Sequence, residues 1–247
     1  MAMSRLGDLD GRRDLAQARV WFERALAINE RLAEDEPDNR DYQRDLLCSL
    51  HKLSEEARME DLAHVREHYV KAVEISRRLV AIDESQEIML YHSHWLIQLG
   101  MIESELDRSH AVASFDEAIQ IRRSFADKNP DDAEAWCLVA SACGNLAEWH
   151  LQQGDTARER SLSEQAHACM EHANLLGPDD ADMQYGLACT LARLGQTDEA
   201  VARLQQAVKL GYADADHVEQ DHDLRTLRDL PRFKAIIASM RQAASVP

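Results

Sequence analysis

The chain has 247 residues, 45 acidic against 28 basic, and a formal charge of −17. That balance excludes sequence-independent binding to nucleic acid or anionic lipid, because both depend on Lys and Arg meeting phosphate. No apolar run approaches the roughly 18 residues of a membrane span, and MAMSRLGDLDGRR at the N-terminus lacks the apolar core of a secretory signal.

In chain order, SRLGDLDGRRDLAQARVWF (4–22) aligns without a gap on HKLSEEARMEDLAHVREHY (51–69), so Leu6 matches Leu53. Leu6 then reads as the end of a first-of-pair helix. The favoured expectation is that these residues are the tail of a longer polypeptide, against a frayed half-repeat. Next come three related stretches, FERALAINERLAEDEP (22–37), YVKAVEISRRLVAIDE (69–84) and FDEAIQIRRSFADKNP (115–130). Ala25, Ala72 and Ala118 are equivalent, and the apolar positions at i, i+3, i+4 and i+7 mark one helix face in each. Alignment of Pro130 with Pro178 adds Ala166 as a fourth.

Each of these helices has a partner before it. Tyr42, Leu46, Leu50 and Leu53 are matched to Tyr91, Trp95, Leu99 and Ile102; further stripes run through Trp136, Val139, Ala140, Cys143 and Leu146, and through Tyr185, Leu187, Ala188 and Leu191. Pro37, Pro130 and Pro178 each end one helix, and the Asp or Asn residues that follow cap the next. The aromatic after them is expected to pack back on the preceding pair.

The last unit places Leu187, Ala188, Leu191, Gly195, Ala200, Leu204 and Ala207 in the order large, small, large, turn, small, large, small, and Ala173 to Ala207 is one period of 34. In this the chain resembles the tetratricopeptide repeat family, with earlier units longer, as in long-helix bacterial variants. GYADADHVEQDHDLRTLRDLPRFKAII (211–237) breaks the repeat and resembles the closing segment of bacterial tetratricopeptide arrays. The resemblance implies an all-α fold: an α-solenoid of about nine helices over 1–211, a partial repeat plus four repeats. A C-terminal helical cap over 212–247 follows, in which Leu224, Leu227, Phe233 and Ile237 cover the last pair. It also implies a non-catalytic scaffold, adaptor or sensor that binds a protein or peptide in a groove lined by first helices. Relatives of this kind are often joined to signalling domains such as kinases or caspase-like peptidases.

Chemistry is sparse. No GxSxG, Walker or GxGxxG phrase occurs. The five cysteines are scattered and never form CxxC, which suits a reduced, cytoplasmic protein. His64 and His68 have chelating i, i+4 spacing but no third ligand in the text, so no metal or other cofactor is expected. A small-ligand or metal-binding module and a self-associating solenoid are the alternative readings. Groove positions counted from Leu46, Trp95, Val139 and Leu187 give Arg44, Cys48, His51 and Lys52; then Ser93, Ile97, Gly100 and Met101; then Cys137, Ser141, Gly144 and Asn145; then Tyr185, Cys189, Ala192 and Arg193. The candidate site is the polar set Arg44, His51, Lys52, Asn145, Tyr185 and Arg193, suited to an acidic peptide segment.

Overall fold

A computed structural model describes residues 15–57, 61–83, 85–106 and 108–244. Helices α1 (Leu15–Asp35), α2 (Arg40–Ala57), α3 (Leu62–Ile82), α4 (Gln86–Leu106), α5 (Arg108–Lys128), α6 (Ala133–Gln152), α7 (Thr156–Leu176), α8 (Ala181–Arg193) and α9 (Thr197–Lys209) precede a C-terminal segment. That segment holds α10 (Ala215–Gln220), a 3-10 turn (His222–Leu227) and α11 (Pro231–Ala244). No strand occurs among the described residues. The fold is all-α, a helical-repeat solenoid built of consecutive packed pairs and closed by a helical cap. The chain divides into two compact units, up to Ala118 and from Ile119 onward, with the division inside α5. The sequence alignment at Leu6 lies outside the described residues.

The repeated Pro phrase has a physical basis in two hydrogen bonds. The residue two after each Pro caps the next helix: Asp132 Oδ1 accepts from Ala135 N, Asp180 Oδ1 from Met183 N, and Asn39 Oδ1 from Asp41 N. The residue six after each Pro then returns a side-chain donor to the Pro carbonyl. Gln43 Nε2 donates to Pro37 O at 3.1 Å, Trp136 Nε1 to Pro130 O at 3.0 Å and Gln184 Nε2 to Pro178 O at 2.9 Å. Each bond occupies a carbonyl that the ending helix leaves without an intrahelical partner. The aromatic of the phrase therefore does more than pack back: at Trp136 it supplies the latch, its ring 4.6 Å from His172, while Gln does the same work at the other two sites.

Within a pair, the turn closes differently. Gly154 and Gly195 have φ of +76°, and Gly211, after α9, has +109°. Gly154 N donates to Leu151 O and Asp155 N to His150 O; Gly195 and Gln196, and Gly211 and Tyr212, repeat the two bonds. This is the Schellman ending, which needs a left-handed residue. Helices α1 and α3–α7 are 20 or 21 residues long, whereas α8 and α9 have 13 each, which accounts for the shortened final period.

In the first unit, Leu47, Leu50, Tyr69, Ile75, Leu96, Ile102 and Phe115 are fully enclosed. Polar ties cross its helix seams: Asn29 Nδ2 donates to Ser49 Oγ at 2.8 Å, Ser54 Oγ lies 3.3 Å from His68 Nδ1, and Ser76 Oγ lies 2.8 Å from His92 Nδ1. In the second unit, Val139, Cys143, Ala166, Met170 and Leu187 form one core. Leu191, Val201 and Leu204 form the next, together with Leu224, Leu227, Phe233 and Ile237 of the C-terminal segment. Those four side chains complete the enclosure that α8 and α9, with no later pair, would otherwise lack.

Candidate protein-binding face

In the first unit, the outer stripe of α2 is Arg44, Cys48, His51 and Glu55, spaced one turn apart, with all but the half-buried His51 exposed. The matching stripe of α4 is Tyr91, His94, Gln98 and Met101, all half-buried. Between them lies a ring cluster. Trp95, 2% exposed, takes His51, His94 and Tyr91 edge-on at 5.7, 5.2 and 5.6 Å between ring centres, and Tyr69 at 6.3 Å. The Tyr69 hydroxyl reaches His51 Nδ1 at 3.5 Å. Interlocked rings of this kind hold half-exposed His51, His94 and Tyr91 in fixed positions. Burial, with the Cys48 thiol beside it, pushes the Tyr91 phenol well above its ordinary range, so it stays neutral and able to donate. Arg44 meets Glu87 at 3.9 Å and His51 meets Glu55 at 3.5 Å, in each case across exposed carboxylates. Pairs this exposed contribute little.

The structure brings Arg44 and His51 together on this face and turns Lys52 away. The Lys52 ammonium lies over the Phe22 ring at 5.4 Å, toward α1. The groove positions counted from Trp95 are out of phase: Ser93 and Ile97 are 1% and 5% exposed, and a Cβ on Gly100 would come within 2.8 Å of Phe115. The match of Tyr42, Leu46, Leu50 and Leu53 to Tyr91, Trp95, Leu99 and Ile102 identifies the inward stripe of each helix. In burial the two helices agree at that match: Leu46, Leu50 and Leu53 are buried, as are Trp95, Leu99 and Ile102, and both tyrosines are half-buried. Tyr91, His94 and Gln98, all half-buried, are the face residues that groove counting passes over.

In the second unit, Asn145 is half-buried and Ser141 exposed on α6. Tyr185 and Arg193 of α8 lie beneath the chain's own C-terminal segment. The Tyr185 hydroxyl donates to Asp221 Oδ2, and its ring stacks on Tyr212 at 4.4 Å. The Arg193 side chain, 6% exposed, pairs with Asp223 and, at 3.4 Å, with Glu148. Arg225 reaches the same Glu148 at 3.2 Å and His222 at 3.6 Å. Burial pushes the Asp223 carboxyl above its usual range and Arg193 draws it back. An acidic stretch, Asp221–His222–Asp223, thus already occupies the basic and phenolic groups that first-helix counting assigns to a groove. Nothing within α8 foretells this, because the occupant is some thirty residues downstream.

His64 and His68 do sit ring to ring, 4.3 Å apart, on one side of a cleft of about 280 Å³ lined also by Glu23, Glu30 and Leu53. Among the described residues no group of three or more His, Cys, Asp or Glu is placed to hold a metal ion. No helix among them is long and apolar enough to cross a membrane.

Two tetratricopeptide repeat models match, over residues 139–182 and 181–210. These ranges cover α7–α9 and most of α6. A 61-residue stretch is 33% identical to a chloroplastic protein of Arabidopsis thaliana; it amounts to 24% of this chain and 18% of that protein's length. The fold is similar to the crystal structure of a thermophilic tetratricopeptide protein of Thermus thermophilus, with a TM-score of 0.53 at 18% identity over 98% of each chain. MamA from Desulfovibrio magneticus RS-1 gives a TM-score of 0.48 at 15% identity, over 86% of this chain and 95% of that one. Residues 139–210, with their Gly-ended turns, Asp caps and the Pro178 carbonyl latch, are thus tetratricopeptide repeats, a kind of repeat that serves protein–protein interaction.

Proposed function

We propose that the protein is a non-catalytic scaffold that holds a segment of a partner protein along the α2–α4 face of its first unit, as a cytoplasmic part of a larger bacterial signalling assembly. The observation that carries this reading is the ring cluster around Trp95. It presents Arg44, His51, Tyr91 and His94 as convergent donors on rigid helices, where solvent-screened Glu87 and Glu55 compete weakly for Arg44 and His51. The partner segment carries acidic side chains. The second unit supports that chemistry by example, since a phenol and an arginine on its first helix engage Asp221 and Asp223. The reading sets Tyr185 and Arg193 aside as already engaged, and retains Asn145 as a flanking contact of the second unit.

Exposed Cys48 provides the test. A benzophenone attached there should crosslink the partner, which is then purified and titrated. Arg44→Glu with His51→Ala should weaken binding about tenfold or more while circular dichroism melts stay unchanged, because truncated central contacts of an interface cost that much. Undiminished affinity in a folded double variant would falsify the assignment.

A further inference from the structure

Two of the Pro joints differ in what fills them. At the Pro130 joint of the second unit, the Trp136 indole lies 4.6 Å from the His172 ring of α7. Trp136 Nε1 and His172 Nε2 both reach the Pro130 carbonyl, at 3.0 and 3.2 Å. The same joint in the first unit is Pro37, with Gln43 in the place of Trp136. Burial fixes the register of the helix packed on it: Ala72, Ile75, Ser76 and Leu79 of α3 recur, all buried, as Ala166, Cys169, Met170 and Ala173 of α7. Arg78 therefore stands where His172 stands. Gln43 does not fill the indole's place. It is 6% exposed, and its amide donates to Ala33 O and Pro37 O. What remains is a cleft of about 280 Å³, lined by Pro37, Asp38, Arg78, Ala81 and Ile82 over buried Ile75 and Leu79. Ile82 is 50% exposed, and exposed Arg78 has no ion pair among the described residues.

We propose that this cleft receives an aromatic side chain of a partner protein, tryptophan by preference, set against Arg78 as Trp136 is set against His172. The charge complement is on the page: an unpaired guanidinium is attracted to the negative face of a ring, most strongly to an indole. The buried aliphatic residues Ile75 and Leu79 and the exposed Ile82 supply the apolar contact that an indole needs. Small-molecule sites run to about 300–1,000 Å³ and enclose most of their ligand. A smaller cleft, open along exposed Ala81 and Ile82, suits one side chain whose backbone stays outside. None of its lining residues belongs to the α2–α4 face, so its occupant is independent of the acidic segment proposed there.

The probe is the tripeptide acetyl-Gly-Trp-Gly-amide, with acetyl-Gly-Leu-Gly-amide and free indole beside it, titrated against the full chain by saturation-transfer NMR. The Trp peptide should bind saturably and the Leu peptide more weakly. Arg78→Ala should weaken the Trp peptide about two- to fivefold, the size of an exposed cation–π contact. Ile82→Glu should weaken it about tenfold or more, because a charge then faces the ring. Gln43→Trp should abolish binding by supplying the ring from within. Arg78 and Ile82 are exposed, so their variants keep the test decisive if Gln43→Trp fails to fold. No saturable binding, equal binding of the two peptides, or an affinity unmoved by both Arg78→Ala and Ile82→Glu would overturn the proposal. Binding of indole without binding of the Trp peptide would overturn it as well, by making a free aromatic compound the occupant.

Discussion

Leu50 and Leu187 are 1% and 0% exposed within tightly packed helix pairs. Truncating either to Ala should cost roughly 2–5 kcal/mol, because the pocket cannot close behind the lost atoms; an unchanged melting temperature would contradict their placement. Titration makes a second residue-scale prediction. His68 and His92 both have pKa values lowered from 6.5, burial being the largest cause. His68 faces His64, Glu67 and Lys71 of its own helix, Glu30 of α1 and Ser54 of α2; His92 faces Ser76 and Arg77 of α3 and Glu117 of α5. The folded chain refuses protons that the unfolded chain accepts from about pH 6.5 downward, so this contribution is complete above 6.5 and declines as pH falls. Melting temperatures should fall between pH 7 and 5, and His68→Gln with His92→Gln should flatten that slope. An equally steep decline in the double variant would assign it to other groups.

Among elements, a glycine in a pair-closing turn and a glycine inside a helix serve different ends, and substitution should tell them apart. Gly195 lies at φ +76° with no neighbour within 4 Å of a built Cβ, so Gly195→Ala pays only backbone strain. That strain is about 1–2 kcal/mol. Gly100→Ala has ordinary helical backbone but drives a methyl into the Phe115 ring, and should destabilise through displacement of a core aromatic. Chemical denaturation of both variants checks the two magnitudes. The helices themselves are legible in the sequence, because Pro130, Asp132 and the apolar stripe of 115–126 are local signals. The outward face of α4 is not legible, because what leaves Tyr91 and His94 half-buried around the buried Trp95 is the packing of α4 against α2. The fate of Tyr185 and Arg193 is illegible for a different reason: their partners Asp221 and Asp223 reach them by tertiary folding alone.

For the molecule as a whole, the C-terminal segment both completes a core and neutralises charge. Deleting 224–247 removes Leu224, Leu227, Phe233 and Ile237 from Leu191, Val201 and Leu204. Exposed apolar ends of repeat stacks associate. The truncated chain should therefore show a lower melting temperature and concentration-dependent light scattering; a stable monomer would contradict the role of those four side chains.

The Pro-carbonyl latches also bear on the order in which structure appears in time. Each closes a loop of only six residues, from Pro37 to Gln43, Pro130 to Trp136 and Pro178 to Gln184. Loops that short close in well under a microsecond. A latch can therefore set the angle between successive helices before either has found its neighbours, so that each of the three latched boundaries acts as its own nucleus. Gln184→Ala should accordingly slow refolding in stopped-flow measurements more than it speeds unfolding.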